Sequence, residues 1–436
     1  MGPSEDIQVE DFEYRGGELF CEEVPLREIA EGVGTPCYVY SSSSLTRQFR
    51  VFDEAFRDLP HLICFAMKAN ENLAVLKLFA NLGGGVDIVS GGELFRALEA
   101  GIPPERIVFA GVGKSTEEII MALKQGILMF NVESPEELDE INHVAKSFGR
   151  KAPVALRVNP DVDPETHPYI STGLRKSKFG MDISLALEEY RRATGMEFVE
   201  VLGLHSHIGS QITSIGPFAD AVDKTLALTG QLREIGVSIR YLNLGGGLGI
   251  AYESETPPGP AELAETLVPR LRQTDLTLLL EPGRHLVGNA GVLLSKVLYR
   301  KETPVKRFIV ADAAMNDLLR PSLYEAYHEV RPLSAISPRP ALQKADLVGP
   351  ICESGDFLAL DRDLPDLKAG DLFAVMSAGA YGFSMSSNYN ARPRVPEVLV
   401  KGGEHFVVRK RETYHDLIRG EEIPPFLANG QGGDRS

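Results

Sequence analysis

The feature that most constrains the fold is an alternation of short apolar segments with amphipathic segments, between about residues 60 and 285. The amphipathic segments carry apolar residues at helical spacing, and they predict helices over Asn72–Asn81, Gly92–Ala100, Thr116–Gln125, Ser134–Ser147, Ser184–Thr194, Phe218–Leu232 and Pro260–Arg272. The apolar segments predict eight strands: Leu62–Met67, Val86–Val89, Ile107–Ala110, Leu128–Val132, Val154–Val158, Leu202–His207, Tyr241–Leu244 and Leu276–Leu280. Strands that alternate with helices form parallel βαβ units, and eight such units predict a (β/α)8 TIM-type barrel. An open doubly wound sheet is the alternative, and it is less favoured because no Gly-x-Gly-x-x-Gly follows the first strand.

The pattern changes after Arg284, where helical periodicity becomes rare. Segments separated by Pro and Gly turns predict strands at Leu286–Tyr299, Arg307–Ala311, Ala345–Val348, Asp371–Val375, Val395–Val400 and Glu404–Arg409. The first forty residues, including Cys37–Tyr40, also have β character. We therefore predict a barrel domain over residues 41–285 and a second, mostly-β domain formed by residues 1–40 and 286–436.

Composition excludes several classes of partner. The net charge of −16 argues against binding to nucleic acid or to an anionic membrane, since both favour a basic surface. Met1–Glu13 lacks the basic and apolar regions of a signal peptide, and no apolar run approaches the length of a membrane span. The four cysteines show neither Cys-x-x-Cys nor zinc-ligand spacing, which predicts no metal site and a reducing, cytoplasmic location.

Chemistry in such barrels lies at the carboxyl ends of the strands, and the first predicted strand ends at Lys68. Desolvation at that position is expected to depress the pKa of the lysine, which favours attack on a carbonyl and formation of a Schiff base. Taken alone, a lysine at a strand end is more often a surface residue whose stem lies along apolar surface.

Other strand ends supply the remaining parts of a site. Gly245, Gly246 and Gly247 follow the seventh strand, where glycines let backbone N–H groups form an anion site; a plain turn is the alternative. Glu281 follows the eighth strand and needs a partner, either a protonated ring nitrogen or an internal salt bridge with Arg284 or another rim residue. His207 is placed to stack on a flat ligand. A lysine, an anion site, an acid and a stacking face together suit pyridoxal 5'-phosphate (PLP).

Several motifs resemble the PLP-dependent decarboxylases of the alanine-racemase fold, namely Phe65–Asn70, His207–Gln211, Leu244–Gly247 and Glu281–Arg284. Further segments narrow the resemblance to the branch of that family that converts meso-2,6-diaminopimelate to L-lysine and CO2, as the last step of lysine biosynthesis. They are His167–Gly173, Ser177–Gly180, Arg320–Tyr324, Cys352–Asp356 and Gly379–Gly382.

The resemblance implies a role for each matching residue. Lys68 would bind PLP covalently, His207 would stack on its ring and Glu281 would bind the ring nitrogen. The phosphate would be held by Ser210, Gly245, Gly246, Gly247, Gly283 and Arg284. The distal part of the amino-acid substrate would be bound by Arg284, Arg320, Tyr324 and Glu353, with Tyr381 contacting substrate and cofactor. Cys352 would donate a proton, and Asp87 and Arg157 are weaker candidates for hydrogen bonds to the cofactor.

The resemblance also implies a homodimer, in which the Cys352–Glu353 segment enters the active site of the partner. Two alternatives stay open. One is a decarboxylase of the same fold acting on ornithine, arginine or carboxynorspermidine, although the base Arg320 does not suit a cationic substrate end. The other is a non-catalytic regulator that has kept the fold, which would be expected to lose cofactor-binding residues.

Overall fold

The computed structural model describes residues 12–163, 178–334 and 342–428. The described chain begins with strands β1 (Phe12–Arg15), β2 (Glu18–Cys21) and β3 (Val24–Pro25), helix α1 (Leu26–Val33) and strand β4 (Cys37–Ser41). The β character predicted for the first forty residues is therefore wrong for α1. Pro25 starts this helix, and burial of Leu26, Ile29 and Ala30 at helical spacing gives it an apolar face.

The next part of the chain alternates strands and helices as predicted. The strands are β5 (His61–Ala66), β6 (Gly85–Ile88), β7 (Ile107–Phe109), β8 (Met129–Val132), β9 (Ala152–Asn159), β10 (Met181–Asp182), β11 (Val199–His205), β12 (Tyr241–Asn243) and β13 (Thr277–Leu280). The helices are α2 (Ser42–Ala55), α3 (Leu73–Asn81), α4 (Gly91–Glu99), α5 (Thr116–Gln125), α6 (Pro135–Phe148), α7 (Ile183–Thr194), α8 (Gly216–Glu234) and α9 (Pro260–Leu271). None of the helices in the described ranges is long and apolar enough to cross a bilayer.

Helix α2 precedes the first barrel strand and was not predicted from the sequence. The Ser41 side chain caps it by accepting a hydrogen bond from the Ser44 N–H, which satisfies one of the free donors of the first turn. Leu45, Phe49 and Phe52 are buried on one face of α2. This face packs on the barrel, so α2 supplies a helix ahead of β5.

Eight parallel strands form a closed barrel. Their order is β9-β11-β12-β13-β5-β6-β7-β8, and β8 pairs with β9 to complete the ring; the short β10 pairs outside it with β9. This closure confirms the TIM-type barrel and excludes the open doubly wound sheet. All eight strands point the same way, so the residues that follow them lie on one rim.

The remaining described chain is mostly β, as predicted. Its strands are β14 (Gly291–Glu302), β15 (Arg307–Ala311), β16 (Val330–Pro332), β17 (Leu342–Val348), β18 (Phe357–Pro365), β19 (Leu372–Val375), β20 (Glu397–Lys401) and β21 (Glu404–Arg409). Its short helices are α10 (Arg284–Val287), α11 (Arg320–Tyr324), α12 (Tyr414–Leu417) and α13 (Pro425–Ala428). The strand predicted from Leu286 begins instead at Gly291, because the chain first makes helix α10; β16 and β18 were not predicted.

The second sheet joins the two ends of the chain. Its order is β18-β17-β15-β14-β4-β20-β21, and β19 pairs with both β14 and β16. The N-terminal strand β4 is antiparallel to β14 and parallel to β20. The N-terminal segment thus joins the mostly-β region through β4, as the sequence predicts, whereas β1, β2 and β3 pair in a small antiparallel sheet of their own.

A group of three aromatic residues packs behind the strand that leads to Lys68. Phe79 of α3 is fully buried, and its ring centroid lies 4.8 Å from that of Phe65 and 5.6 Å from that of Phe49. Phe65 lies on β5 and Phe49 on α2. These contacts fix the first barrel strand against the two helices outside it.

We expect Phe79→Ala to lower the free energy of unfolding by about 3–5 kcal/mol, because it opens a cavity between these elements. The matched control is Phe95→Ala, since the Phe95 side chain is 59% exposed. That change should alter the free energy of unfolding by no more than about 0.5 kcal/mol. Urea unfolding of both variants measures the difference, and equal effects would contradict this account of the core.

Candidate active site

A cavity of about 720 Å³ lies at the carboxyl-terminal rim of the barrel, and residues from the mostly-β part of the chain also line it. Most of the predicted site residues line it: Lys68, Arg157, His207, Ser210, Gly246, Gly247, Glu281, Gly283, Arg284, Arg320, Tyr324 and Tyr381. Residues separated by more than three hundred positions in the chain thus converge on one space.

Lys68 lies on a single 3-10 turn, Met67–Ala69, directly after β5. Its Nζ is 3.1 Å from Oδ2 of Asp87, which lies on the neighbouring strand β6. Desolvation disfavours the charged amine, but the charge and hydrogen bond of Asp87, together with Tyr381 and Glu281, outweigh it, and the net effect raises the pKa of Lys68. The depressed pKa expected from burial alone is therefore wrong, because a buried carboxylate faces the amine.

Glu281 follows β13 and is 6% exposed. Its Oε1 accepts hydrogen bonds from Asn243 Nδ2 at 2.6 Å and Asn131 Nδ2 at 3.2 Å, and its Oε2 lies 3.4 Å from His205 Nε2. Burial acts to raise the pKa of Glu281, but His205, the charge of Lys68 and the Asn243 amide together outweigh it, so that the net effect lowers the pKa. The carboxyl group is held ionised inside the barrel by its neighbours, and its partner is not Arg284.

Asp87 has the opposite character to Glu281. Burial and then the negative charge of Glu281 raise the pKa of Asp87 to about 6, despite its contact with Lys68. Its Oδ1 is buried and has no hydrogen-bond partner among the described residues. The pKa values of the two acids thus shift in opposite directions, because Glu281 has more hydrogen-bond donors around it than Asp87 has.

The glycine segment after β12 brings the backbone close to its neighbours. Gly245 and Gly247 have φ of +66° and +116°, a region that favours glycine, and a Cβ at Gly246 would collide with the Glu281 carbonyl oxygen. Gly246 and Gly247 line the cavity, whereas Gly245 packs under His207 and donates its N–H to Asn243 Oδ1.

His207 is held by the same segment. Its Nδ1 accepts a hydrogen bond from the Gly246 N–H at 3.3 Å, which places the proton of the neutral ring on Nε2. Burial, and then the charge of Arg157, hold the pKa of His207 well below its usual value. A neutral imidazole therefore lines the cavity, as a stacking role requires.

Arg284 is buried and contacts three side chains at the cavity wall. It donates from Nη1 to the Tyr252 hydroxyl at 2.6 Å and from Nη2 to Ser210 Oγ at 3.2 Å, and its Cζ lies 4.9 Å from the centroid of the Tyr381 ring. Its Nε has no hydrogen-bond partner in the described part of the chain. Tyr381 is held by its own N–H, which donates to the Ala69 carbonyl beside Lys68.

A second guanidinium approaches the same tyrosine. Arg320 of α11 is 6% exposed, and its Cζ lies 4.5 Å from the centroid of the Tyr252 ring. Arg284 Cζ lies 5.8 Å from that centroid. Two positive charges thus face one cavity with Tyr252 between them, which suits a bound anion.

Cys352 and Glu353 lie apart from the cavity of their own chain. Both are exposed, and they are absent from the described residues that line it. The Cys352 N–H donates to Asn390 Oδ1 at 2.8 Å, and the Tyr389 hydroxyl is 3.5 Å from Glu353 Oε2. The predicted motif segment 167–173 lies outside the described residues.

The structure adds residues that the sequence interpretation left without a role. Asn131 and Asn243 lie within the last two residues of the apolar strands β8 and β12, where a polar side chain is itself a signal of the rim. Tyr252 lies in a loop with no recognisable signal. His205 lies in the same predicted strand as His207, Leu202–His207, but its contact with Glu281 depends on the curvature of the barrel.

The site fits PLP on structural grounds. A lysine and an ionised, buried acid face one cavity. Its wall includes the glycine backbone after β12, where a Cβ would not fit, and the Nε of Arg284, which has no hydrogen-bond partner among the described residues. These groups match an aldehyde, a ring nitrogen and a phosphate. Fold and site therefore define a PLP-dependent enzyme built on a (β/α)8 barrel.

Comparison with known proteins supports the assignment to PLP-dependent enzymes. Residues 42–288 match the family described as pyridoxal-dependent decarboxylase, pyridoxal binding domain. A diaminopimelate decarboxylase from Aquifex aeolicus is 52% identical over 407 residues, which cover 93% of this chain and 96% of that protein. One from Pseudomonas aeruginosa is 53% identical over 418 residues, covering 96% of this chain and all of that protein. The crystal structure of the M. jannaschii diaminopimelate decarboxylase with L-lysine has a TM-score of 0.90 and 42% identity, covering 95% of this chain and 98% of that one.

The chain belongs to the diaminopimelate decarboxylase family of PLP-dependent decarboxylases. It is a PLP-dependent carboxy-lyase.

We expect Asp87→Asn to move the covalent uptake of PLP by the apoprotein to lower pH. Lys68 is the predicted attachment residue, and it reacts only when its amine is deprotonated. Because the Asp87 charge raises the pKa of Lys68, its removal should lower the midpoint of the pH–rate profile by about 1–3 units. Visible absorbance after addition of PLP measures the rate.

Glu93→Gln is the matched control, since Glu93 is a buried carboxylate in the same region that is bonded to the Val89 N–H rather than to Lys68. Its profile should move far less than that of Asp87→Asn. An unchanged midpoint in Asp87→Asn would show that this carboxylate does not control the amine.

Proposed function

We propose that this enzyme decarboxylates meso-2,6-diaminopimelate at its D-centre, giving L-lysine and CO2 as the last step of lysine biosynthesis. The observation that carries the proposal is the pair of buried guanidinium groups, Arg284 and Arg320, in the cavity that also contains Lys68 and Glu281. An amino-acid substrate with a second carboxylate matches this charge. The relative crystallised with L-lysine supports the same assignment, because L-lysine is the proposed product.

The residues at the rim would hold PLP at four points. Lys68 would bind it covalently, and Glu281 would bind the ring nitrogen. His207 would lie against the ring with its neutral imidazole. The phosphate would be held by the rim residues Ser210, Gly246, Gly247, Gly283 and Arg284. Gly245 would contribute indirectly to cofactor binding, because it packs against His207 and does not line the cavity.

When bound, PLP accepts the electron pair left on Cα as CO2 departs. Glu281 would keep a proton on the ring nitrogen, because an ionised acid beside a heteroaromatic nitrogen favours its protonated form. Asn131, Asn243 and His205 keep Glu281 ionised despite its burial. Asp87 and Arg157 remain candidates for hydrogen bonds on the cofactor side; Arg157 already donates to Glu133 at 2.7 Å.

The substrate would be selected at the end remote from the reaction. Arg284 and Arg320 would bind the distal carboxylate, with Tyr324 beside them, and Glu353 would bind the distal amino group. Tyr381 would contact both cofactor and substrate. A cationic chain end, such as that of ornithine, would meet two like charges here. Such a like-charge contact costs about 2 kcal/mol or more of binding free energy.

We also propose that the enzyme is a homodimer with shared active sites. In the described part of the chain Cys352 and Glu353 do not line the cavity of their own subunit, so their roles as proton donor and substrate ligand require a partner. Residues 41–285 would form the PLP-binding domain, and 1–40 with 286–436 the domain that supplies substrate and dimer contacts. A cytoplasmic location stays a prediction, supported by four free cysteines.

The direct test is CO2 release by the purified protein with added PLP. We expect turnover of meso-2,6-diaminopimelate and none of ornithine or arginine. Release from ornithine but not from diaminopimelate would assign a different decarboxylase. A purified protein that shows no visible absorbance from bound PLP and releases no CO2 from any of these amino acids would be a non-catalytic regulator, whereas absorbance that is lost in Lys68→Ala would exclude that alternative.

Mixing two inactive variants tests the shared site. Lys68→Ala and Cys352→Ala subunits, unfolded and refolded together, should recover up to about one quarter of wild-type activity, because half of random dimers are mixed and each contains one complete site. Each variant refolded alone is the control. No recovery despite subunit exchange, shown by mass spectrometry of tagged chains, would exclude the shared arrangement.

A further inference from the structure

His328 is a fully buried histidine that contacts Arg320 directly. Its Nε2 lies 2.8 Å from Arg320 Nη1, and its Nδ1 lies 2.8 Å from the Met376 carbonyl oxygen. A guanidinium can only donate and a carbonyl oxygen can only accept. The proton of His328 is therefore on Nδ1, and Nε2 offers a lone pair to Arg320.

The ring is fixed from several sides. It meets the Tyr252 ring edge-on, with centroids 5.4 Å apart, and Arg362 donates to the His328 carbonyl oxygen at 2.7 Å. Two residues later β16 begins, and Val330 pairs with Val375 of β19. His328 thus connects Arg320 to a sheet, and the position of the guanidinium is set by a rigid element.

The contact orients Arg320 without cancelling its charge. Burial, and then the charge of Arg320, lower the pKa of His328 to about 3, with Arg362 and Arg284 acting in the same direction. The groups that act most on Arg320 are tyrosines and Arg284, not carboxylates. A carboxylate in place of His328 would hold the guanidinium equally well but would neutralise it.

We propose that His328 is a positioning residue for substrate selection, a neutral acceptor that aims Arg320 at the distal carboxylate and leaves its positive charge for the substrate. The inference rests on the proposed function, since that carboxylate is the one that meso-2,6-diaminopimelate retains in L-lysine.

The experiment compares three replacements in the PLP-loaded enzyme. His328→Gln and His328→Glu are matched in shape and differ in charge, and both place an acceptor near Arg320. His328→Asn keeps a donor for the Met376 carbonyl but is too short to reach Arg320. Calorimetry measures binding of L-lysine and of cadaverine, which is L-lysine without its carboxylate, and steady-state kinetics gives KM and kcat for diaminopimelate.

We expect His328→Gln to bind L-lysine with an affinity within about threefold of wild type. His328→Glu and His328→Asn should bind it about tenfold or more weakly, because the first neutralises Arg320 and the second no longer orients it, and either change weakens the bond between Arg320 and the carboxylate of L-lysine. Cadaverine affinity should be unchanged in all three, and the KM for diaminopimelate should follow L-lysine affinity with kcat little altered. Thermal unfolding identifies any variant that does not fold, and the Gln and Asn variants alone still decide whether the acceptor matters.

Two results would overturn the inference. If His328→Glu binds L-lysine as tightly as His328→Gln does, the neutrality of His328 is unimportant. If L-lysine and cadaverine lose affinity together, His328 has only a structural role. Failure of the proposed function is recognised separately, because the wild-type enzyme would then release no CO2 from diaminopimelate.

Discussion

The rest of the site depends on one buried interaction, the stabilisation of an ionised Glu281 within the barrel. Burial alone would raise the pKa of a carboxyl group that is 6% exposed, as it does that of neighbouring Asp87. Glu281 stays charged because Asn131 and Asn243 donate to one oxygen while His205 lies beside the other. These three residues lie near the carboxyl ends of three different strands, so only a closed barrel brings them together.

The barrel alone does not complete the site. Arg320 lies on α11 and Tyr381 follows β19, both in the chain after the barrel, and they meet Arg284 around Tyr252. Cofactor and substrate groups are therefore divided: the barrel rim carries the groups that suit PLP, and the mostly-β region carries much of the positive charge that suits a dicarboxylic substrate. This division explains how one barrel can serve decarboxylases with different substrates.

Much of the barrel and of the site at its rim was predictable from the sequence, because barrel strands and the residues that follow them form a local pattern. Alternating periodicity predicted the eight strands, and the polar residues after them predicted Lys68, Glu281 and the glycine segment. Helix α1 was missed because its eight residues are too short for a clear period. The pKa of Lys68 was predicted in the wrong direction because Asp87 faces it only after β5 and β6 pair. The link from His328 to Arg320 depends on tertiary contacts with Met376 and Tyr252 that no local pattern encodes.

The position of β4 in the middle of the second sheet also affects how the chain folds during its own synthesis on the ribosome. Residues 37–41 lie between β14 and β20, and their parallel partner, residues 397–401, leaves the ribosome some 360 residues later. The barrel strands can pair as they emerge, but β4 must wait for almost the whole chain before its second edge is covered. This pairing gives the sheet a high contact order, which slows folding. Until synthesis is nearly complete, the nascent chain carries an apolar strand edge that is open to association with other chains.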